Sequence, residues 1–193
     1  MIIGISGLIG SGKNAVAEHL VNQHNFRADS FAKSLKDAVA DIFNWDRELL
    51  EGKTDASREW REKIDEAWSD RMNRSVTPRW VLQYFGTEVC RKQFHDDIWI
   101  NSLFARVKQG DRVVISDVRF VNELKMIRKN GGKTVLITRG PIPTKQEMIR
   151  KKIHQSEWDW IGFDFDHVIN NNGTLEDLHH NTTHLIKSLG LDH

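Results

Sequence analysis

The residues with the clearest chemical potential form a glycine-rich segment near the start of the chain. The segment GLIGSGK fits the phosphate-binding pattern GxxxxGK, and its candidate nucleotide ligands are Gly7, Gly10, Ser11, Gly12, Lys13 and Asn14. An apolar run, Ile2 to Ile5, precedes the segment, and a helix-forming run, Ala15 to Leu20, follows it. A strand, loop and helix in this order let successive backbone N–H groups surround phosphate oxygens, while the lysine reaches the β and γ phosphates. A glycine-rich turn with an exposed lysine is the alternative, but the strand, motif and helix signals agree.

The residue after the loop lysine departs from the usual pattern. Asn14 stands where Ser or Thr normally binds Mg²⁺. Metal binding would then depend on phosphate oxygens, water and carboxylates, for which Asp29 and Asp117 are the candidates and no full ligand set can be assigned. The run from His95 to Asp97 suggests a polar helix start more than a metal site.

A second group of candidates follows the apolar run that begins at Arg112. The run ends in Asp117, and Arg119 and Glu123 come two and six residues later. An acid at a strand end can orient Mg²⁺ or accept a hydroxyl proton, and the arginine can reach an anion at the same edge. Asp117 as a helix cap, with Arg119 and Glu123 as a surface pair, explains the pattern about equally well.

A third group lies in the segment RWVLQYFGTE. At α-helical spacing, Arg79, Gln83 and either Gly86 or Thr87 share one face, which would present a phosphate-binding guanidinium and a base-reading amide. Trp99 could stack on a nucleobase, although core packing is the commoner role of a tryptophan.

The elements that must position these groups alternate between strand and helix patterns. Strands are predicted at Ile2 to Ser6, Phe26 to Phe31, Arg112 to Asp117, Lys133 to Thr138 and His167 to Asn170. Strands separated by helices predict an α/β fold with a parallel sheet covered on both faces, whose ligands bind at the carboxyl ends of the strands. One domain is expected over residues 1–193, with a helical insertion at about 34–108 and a charged lid at about 139–157.

Several of these segments together resemble one known family. The segments SGK, SFAKSLKDA, RWVLQYFGTE, SDVRFVNE and HQSE, with Trp99, make the chain similar to the deoxynucleoside monophosphate kinases of tailed bacteriophages. The resemblance implies a P-loop containing nucleoside triphosphate hydrolase fold with a helical substrate-binding insertion and a short lid. It also implies transfer of a phosphoryl group from ATP, with Mg²⁺, to a deoxynucleoside monophosphate.

The resemblance assigns residue roles as well. The implied catalytic residues are Lys13, Arg79, Asp117 and Arg119. The implied acceptor-binding residues are Lys33, Arg79, Gln83, Gly86, Thr87, Trp99, Asp117, Arg119 and Glu123. The family pattern SGKDT is SGKNA here, and Trp80 stands where a second basic residue is often found.

The amino-acid composition disfavours two classes of protein, those that coat nucleic acid and those that span a membrane. A net charge of +1 disfavours a nucleic-acid-coating protein, so small-molecule substrates are the expected partners. A single cysteine, Cys90, and the lack of a long apolar run predict a cytoplasmic protein without membrane contact, in the host cytoplasm if phage-encoded. A homodimer is one alternative for the oligomeric state.

Two alternatives to the main interpretation stay open at this point. The loop alone cannot identify an acceptor, so a kinase for another small metabolite is one of them. A nucleotide-binding switch or assembly ATPase is the other, and an exposed apolar patch between Trp45 and Trp68 would favour it.

Overall fold

A computed structural model describes residues 1–191 of the chain. Its residues group into two compact units, the first made of residues 1–30 together with the chain from Phe104 onward, and the second of Phe31–Leu103. The first unit contains the sheet, and the second is helical.

The first unit is built on a five-stranded parallel sheet with the strand order β2-β3-β1-β4-β5. The strands are β1 (Ile2–Ser6), β2 (Arg27–Asp29), β3 (Val113–Ile115), β4 (Lys133–Thr138) and β5 (His167–Asn170). The predicted bounds of β1, β4 and β5 are confirmed, whereas β2 and β3 are shorter than predicted. Hydrogen-bonded pairing stops at Asp29 and Ile115, which form the last pair of that ladder.

Helices cover both faces of this sheet, as the α/β pattern predicts. They are α1 (Lys13–His24), α8 (Val121–Lys129) and α10 (Leu175–Ser188). The unit also contains α9 (Lys145–Arg150) and a short 3₁₀ helix at Gln155–Glu157. Alternate strand residues, among them Ile3 and Ile5, pack with apolar residues of α1 and α10 in one core cluster. Gly4 faces the other way, towards Ile127 of α8. The period of two along the strands therefore separates the two helical layers.

The second unit consists of short helices around an aromatic core. They are α2 (Lys33–Phe43), α3 (Arg47–Glu51), α4 (Asp55–Glu62), α5 (Glu66–Met72), α6 (Pro78–Gln83), a π-helix (Tyr84–Phe94) and α7 (Ile98–Phe104), which ends at the boundary between the units. Throughout this stretch, all of which the structure describes, there is no strand. Leu35, Val39, Leu50, Val76 and Val81 form the buried centre, and five tryptophans pack against it.

The π-helix is the main local departure from the sequence prediction. The shared face of Arg79, Gln83 and Gly86 or Thr87 assumed α-helical spacing, but the α-helix ends at Gln83. Hydrogen bonds in a π-helix run from residue i to i+5, so the residues after Tyr84 turn around the axis by less per step. The prediction of one α-helical face is therefore wrong beyond Gln83.

Candidate functional site

The glycine-rich loop connects the end of β1 to the start of α1. Its backbone depends on glycine at two points in particular. Gly7 has φ +150°, and a Cβ atom there would lie 2.4 Å from the carbonyl oxygen of Ile137. Gly12 has φ +104°, and a Cβ atom there would lie 2.5 Å from the side-chain nitrogen of Asn171. The loop thus packs tightly on the ends of the neighbouring strands, which fixes its path.

The first turn of α1 begins without a side-chain cap and without an acidic residue. Its N-cap residue, Gly12, makes no side-chain cap hydrogen bond, and the first turn contains no acidic residue. By contrast, α4, α9 and α10 each begin with a reciprocal capping box led by a threonine. An uncapped helix start directs positive partial charge and N–H donors at whatever lies before it, which suits an anion.

Lys13 joins the loop to α1, as the first residue of that helix, and has a lowered pKa. Its Nζ atom donates hydrogen bonds of 2.8 Å to the carbonyl oxygens of Gly7 and Leu8. Burial, and secondly the positive charge of Arg119, lower the pKa of Lys13 to about 8, although Glu157 and Asp117 act in the opposite direction. The charges of Arg119, Glu157 and Asp117 therefore all act on Lys13, and Arg119 and Glu157 contact each other directly.

The Arg119 guanidinium contacts the short 3₁₀ helix at Gln155–Glu157. Its Nη1 atom donates to Oε1 of Glu157 at 2.6 Å and to the carbonyl oxygen of Ser156 at 3.3 Å. The Arg119 side chain is still 43% exposed, whereas that of Glu157 is 14% exposed. The Arg119 side chain therefore combines a protein partner with partial exposure, and its guanidinium is of a type that binds anions.

Asp117 accepts a hydrogen bond of 2.8 Å from Oγ of Ser30, a residue that follows β2. Two strand ends thus meet here, as parallel strands require. Helix α8, which follows, has Phe120 as its N-cap residue. The alternative in which Asp117 caps that helix is therefore wrong.

Asp29, the other candidate for a metal ligand, is surrounded by donors. Arg27 donates to one of its carboxylate oxygens at 2.7 Å, and Arg106 donates to the other at 2.9 Å. The Ser30 backbone N–H adds a third hydrogen bond of 2.7 Å. Burial opposes ionisation of this carboxyl, but the hydrogen bonds from Arg106, Arg27 and Ser30 outweigh it and hold the pKa of Asp29 below its ordinary value. Asp29 therefore links Arg27, Ser30 and Arg106 at the end of β2, which is a structural role.

Glu123 is buried, so it does not form a surface pair. Its Oε2 atom accepts hydrogen bonds from the backbone N–H groups of Arg119 at 2.7 Å and Phe120 at 2.9 Å. Glu123 therefore shapes the turn that carries Arg119, and it satisfies donors at the start of α8.

The remaining candidates belong to the second unit. Lys33 forms an exposed ion pair with Asp37, N···O 2.7 Å, and Arg79 pairs with Glu62 at 3.3 Å. An exposed pair such as that of Lys33 contributes about 0 to 1 kcal/mol, so Lys33 can exchange its partner for a phosphate. The Arg79 side chain is only 29% exposed. Gln83 is the last residue of α6 and is partly exposed.

Three further candidates in that unit have clear packing roles. Trp99 donates its indole N–H to the carbonyl oxygen of Gly86 at 2.9 Å and packs against the aromatic core. Gly86 and Thr87 are buried, and a Cβ atom at Gly86 would come within 2.6 Å of Leu35. These contacts fix the joint between α6 and the π-helix.

Two features are absent from the part of the chain that the structure describes. Among residues 1–191, no group of three or more His, Cys, Asp or Glu side chains is arranged to hold a metal ion. No helix in the same range combines the length and apolar character needed to cross a membrane.

Three residues of this region were not identified from the sequence. Ser30 and Glu157 contact Asp117 and Arg119, and Asn171 donates to the loop carbonyl of Ser11 at 2.8 Å. Asn171 follows a strand, and that position at the carboxyl edge of a parallel sheet was the available signal. Ser30 lay inside the strand predicted from the sequence, and Ser30 and Glu157 both belong to segments of the family resemblance, which assigned them no role. Glu157 lies after a helix and a turn, so strand position could not have identified it.

Known proteins that are similar to this chain are named as deoxynucleotide kinases. The family model described as deoxynucleotide monophosphate kinase matches residues 47–182. A protein of Acanthamoeba polyphaga mimivirus, named as a deoxynucleotide monophosphate kinase, is 31% identical over 194 residues that cover 93% of this chain and 92% of that protein. The deoxynucleoside-5′-monophosphate kinase of Escherichia phage T5 is 33% identical over 87 residues, 42% of this chain and 34% of that protein.

Two kinases are among the solved structures that show partial similarity to this chain. A shikimate kinase from Aquifex aeolicus gives a TM-score of 0.48 at 14% identity, with all of both chains covered. A dephospho-CoA kinase from Campylobacter jejuni gives 0.45 at 13% identity, with 97% of this chain and 96% of that chain covered. The family match spans well over half of the residues, and the mimivirus relative covers nearly the whole chain. The protein therefore belongs to the deoxynucleotide monophosphate kinase family.

Proposed function

We propose that this protein transfers the γ-phosphoryl group of ATP to the 5′-phosphate of a deoxynucleoside monophosphate, and that the loop between β1 and α1 binds the donor. Membership of the family makes the protein a phosphotransferase acting on small nucleotide substrates. The observation that carries the donor assignment is the uncapped start of α1 beside Lys13. Donor phosphates would accept from the loop N–H groups, and Lys13 would leave the carbonyls of Gly7 and Leu8 to reach them.

Arg119 is the proposed main ligand of the acceptor phosphate. Its positive charge acts on Lys13, and its side chain is 43% exposed. Arg79 is the proposed acceptor ligand from the second unit, with Lys33 and Gln83 as further contributors. Trp99, Gly86 and Thr87 would act mainly by holding the backbone that carries these groups.

The reaction needs little covalent participation from the protein. An oxygen of the acceptor phosphate forms a bond to the γ phosphorus, the bond from that phosphorus to the bridging oxygen breaks, and ADP leaves. The acceptor phosphate is already an adequate nucleophile, so alignment and charge neutralisation supply most of the catalysis. Lys13 and Arg119 would stabilise the charge that develops on the transferring group. Exposed cations of the lid, Arg139, Arg150, Lys151 and Lys152, would add to this when they cover it.

Mg²⁺ fits the donor set if the phosphates supply most of its ligands. Mg²⁺ commonly binds one or two carboxylates together with phosphate oxygens and water. Asp117 is the proposed carboxylate, because both oxygens of Asp29 already accept hydrogen bonds from arginines. Asn14, exposed at the start of α1, offers at most a neutral amide oxygen. Bound Mg²⁺ would neutralise charge on the β and γ phosphates.

The aromatic residues of the second unit favour catalysis over an assembly role. Trp45, Trp60 and Trp68 are partly buried in its core, and Trp68 donates its indole N–H to the carbonyl oxygen of Phe43 at 2.9 Å. Between Trp45 and Trp68, the tryptophans contribute no exposed apolar patch of the kind that would have favoured a protein-binding switch, and Ile64 is the exposed large apolar side chain there, at 53%. We propose further that residues at about 34–108 bind the acceptor and that residues at about 139–157 act as a lid. We also propose that the protein works in the cytoplasm, as a monomer or homodimer, and does not bind nucleic acid.

ADP release in the presence of each common deoxynucleoside and ribonucleoside monophosphate tests the proposal. We expect release that depends on at least one deoxynucleoside monophosphate and is almost abolished in Lys13→Ala, with an unchanged circular dichroism spectrum. Slow ATP hydrolysis that ignores every monophosphate would contradict the proposed function and favour a nucleotide switch. Release that depends only on another metabolite would reassign the acceptor.

A further inference from the structure

Asn171, which directly follows β5, is buried and doubly anchored. Its backbone N–H donates to the carbonyl oxygen of Thr138 at the end of β4, at 2.8 Å. Its side-chain Nδ2 donates to the carbonyl oxygen of Ser11, also at 2.8 Å. The residue is only 8% exposed, so neither bond is readily replaced by water. The carboxamide therefore links the edge of the sheet to the phosphate loop across 160 residues of sequence.

This contact sets the orientation of one particular peptide group. In a trans peptide the C=O and the N–H point in opposite directions. Because Asn171 holds the C=O of the Ser11–Gly12 peptide, the N–H of Gly12 must point away from Asn171. The next residue, Lys13, begins α1, so this N–H belongs to the set that the uncapped helix start directs outward.

Packing restricts the same peptide from the other side. A Cβ atom on Gly12 would lie 2.5 Å from Nδ2 of Asn171 and 3.2 Å from Cδ2 of Leu178 on α10. The side chains of Asn171 and Leu178 thus pack directly against Gly12 and leave no room for a Cβ atom there. A rotation of the Ser11–Gly12 peptide would break the hydrogen bond and leave the Ser11 carbonyl oxygen without its donor, which is costly in a buried place.

We infer that Asn171 is a positioning residue of the donor site, which holds the Ser11–Gly12 peptide in the orientation that binds the phosphates of ATP. The inference rests on the proposed donor site, but it concerns a residue that does not itself touch the phosphates. It predicts that loss of the Asn171 donor weakens binding of the phosphate chain selectively and leaves acceptor binding unchanged.

Two substitutions of Asn171 and one neighbouring control test this inference. Asn171→Asp keeps the shape but replaces the donor by an oxygen that repels the Ser11 carbonyl, and Asn171→Ala removes the donor without adding charge. Asn170→Asp is the matched control, because Oδ1 of Asn170 accepts from the backbone N–H of Asn172 and an aspartate can still do so. It adds the same charge one residue away in an exposed position.

The measurements are the KM for ATP, the KM for the acceptor, and the inhibition constant of inorganic tripolyphosphate, which probes the phosphate loop without a base or ribose. We expect Asn171→Asp to raise the KM for ATP and the tripolyphosphate constant by about tenfold, and Asn171→Ala by several-fold. The acceptor KM should stay within about twofold, and Asn170→Asp should resemble the parent protein.

Several results would overturn the inference. One is unchanged inhibition by tripolyphosphate in both Asn171 variants, and another is an equal weakening of this inhibition in Asn170→Asp. A third is a fall in kcat and melting temperature with both KM values unchanged, which would indicate a purely structural role. If Asn171→Asp does not fold, Asn171→Ala decides the matter. A parent protein that binds tripolyphosphate but phosphorylates no monophosphate would refute the proposed function, and the binding comparison would still test Asn171.

Discussion

The lowered pKa of Lys13 predicts that ATP binding weakens as the pH rises through about 8. Burial and the nearby Arg119 charge lower this pKa from 10.5 to about 8 in the nucleotide-free protein. Phosphate groups of bound ATP would stabilise the charged ammonium and raise the pKa again. The complex then binds more protons than the free protein above about pH 8, so binding must take up a proton there, and affinity must fall with increasing pH.

The size of the effect follows from the fraction of charged lysine. With a pKa of about 8, roughly nine-tenths of Lys13 is protonated at about pH 7 and roughly one-tenth at about pH 9. If only the charged form binds the phosphates, the dissociation constant rises about tenfold over this interval, equivalent to about 1.4 kcal/mol. The last proton of the ATP phosphates is lost near pH 6, so the nucleotide itself contributes little to this change.

Isothermal titration calorimetry of ATP binding would measure this effect directly. Titrations at constant Mg²⁺ concentration, in two buffers with different ionisation enthalpies, yield both the dissociation constant and the number of protons taken up. We expect uptake that approaches one proton between about pH 8 and about pH 9. Lys13→Arg is the matched control, because a guanidinium stays charged over this range and should give a flat profile even if it binds more weakly.

A constant dissociation constant with no proton uptake above about pH 8 would refute this reasoning. It would mean that Lys13 is already charged throughout this range, or that ATP phosphates do not approach it. A fall in affinity that persists in Lys13→Arg would assign the titration to another group.

Three further outcomes follow from the same contacts. Lys13→Met should remove phosphoryl transfer, yet raise the free energy of unfolding of the nucleotide-free protein at about pH 7 by about 1 to 2 kcal/mol in urea. The reason is that burial of the charged Lys13 ammonium destabilises the fold below about pH 8, and this destabilisation disappears as the pH rises towards 10.5. A lower free energy of unfolding in Lys13→Met would contradict this prediction. Arg79→Ala should raise the acceptor KM or lower kcat without changing ATP binding in calorimetry, and an effect confined to ATP would assign Arg79 to the donor. Glu157→Gln should weaken acceptor binding in the parent protein but add little to Arg119→Ala, and additive losses in a double-mutant cycle would show that Glu157 does not act through Arg119.

Much of the first unit could be predicted from sequence because its signals are local and agree with one another. Apolar runs of strand length, the glycine loop and the helical patterns gave the parallel sheet and the position of Lys13. Asp117 and Arg119 were found because polar residues after a buried strand must lie at the carboxyl edge of the sheet. The strand ends at β2 and β3 could not be placed, since pairing there depends on the neighbouring strand and not on residue type.

Other features depend on contacts that sequence distance conceals. Asn171 reaches Ser11 only through the fold, and no local pattern separates it from the asparagines on either side. Glu157 pairs with Arg119 across 38 residues. The π-helix replaces an α-helix where Gly86 packs against Leu35, a tertiary contact that helix periodicity cannot anticipate.

The aromatic core of the second unit gives that unit most of the tryptophan signal of the protein. Five of the seven tryptophans lie within Phe31–Leu103, and only Trp158 and Trp160 belong to the other unit. Phe43 stacks on Trp45 at 4.5 Å between ring centroids, and Trp45 meets Trp60 edge-on at 5.9 Å, so near-ultraviolet circular dichroism and intrinsic emission should be dominated by this cluster. The chain therefore carries a built-in spectroscopic reporter of its helical insertion, and a denaturation curve followed by tryptophan emission would describe mainly the loss of that part of the molecule.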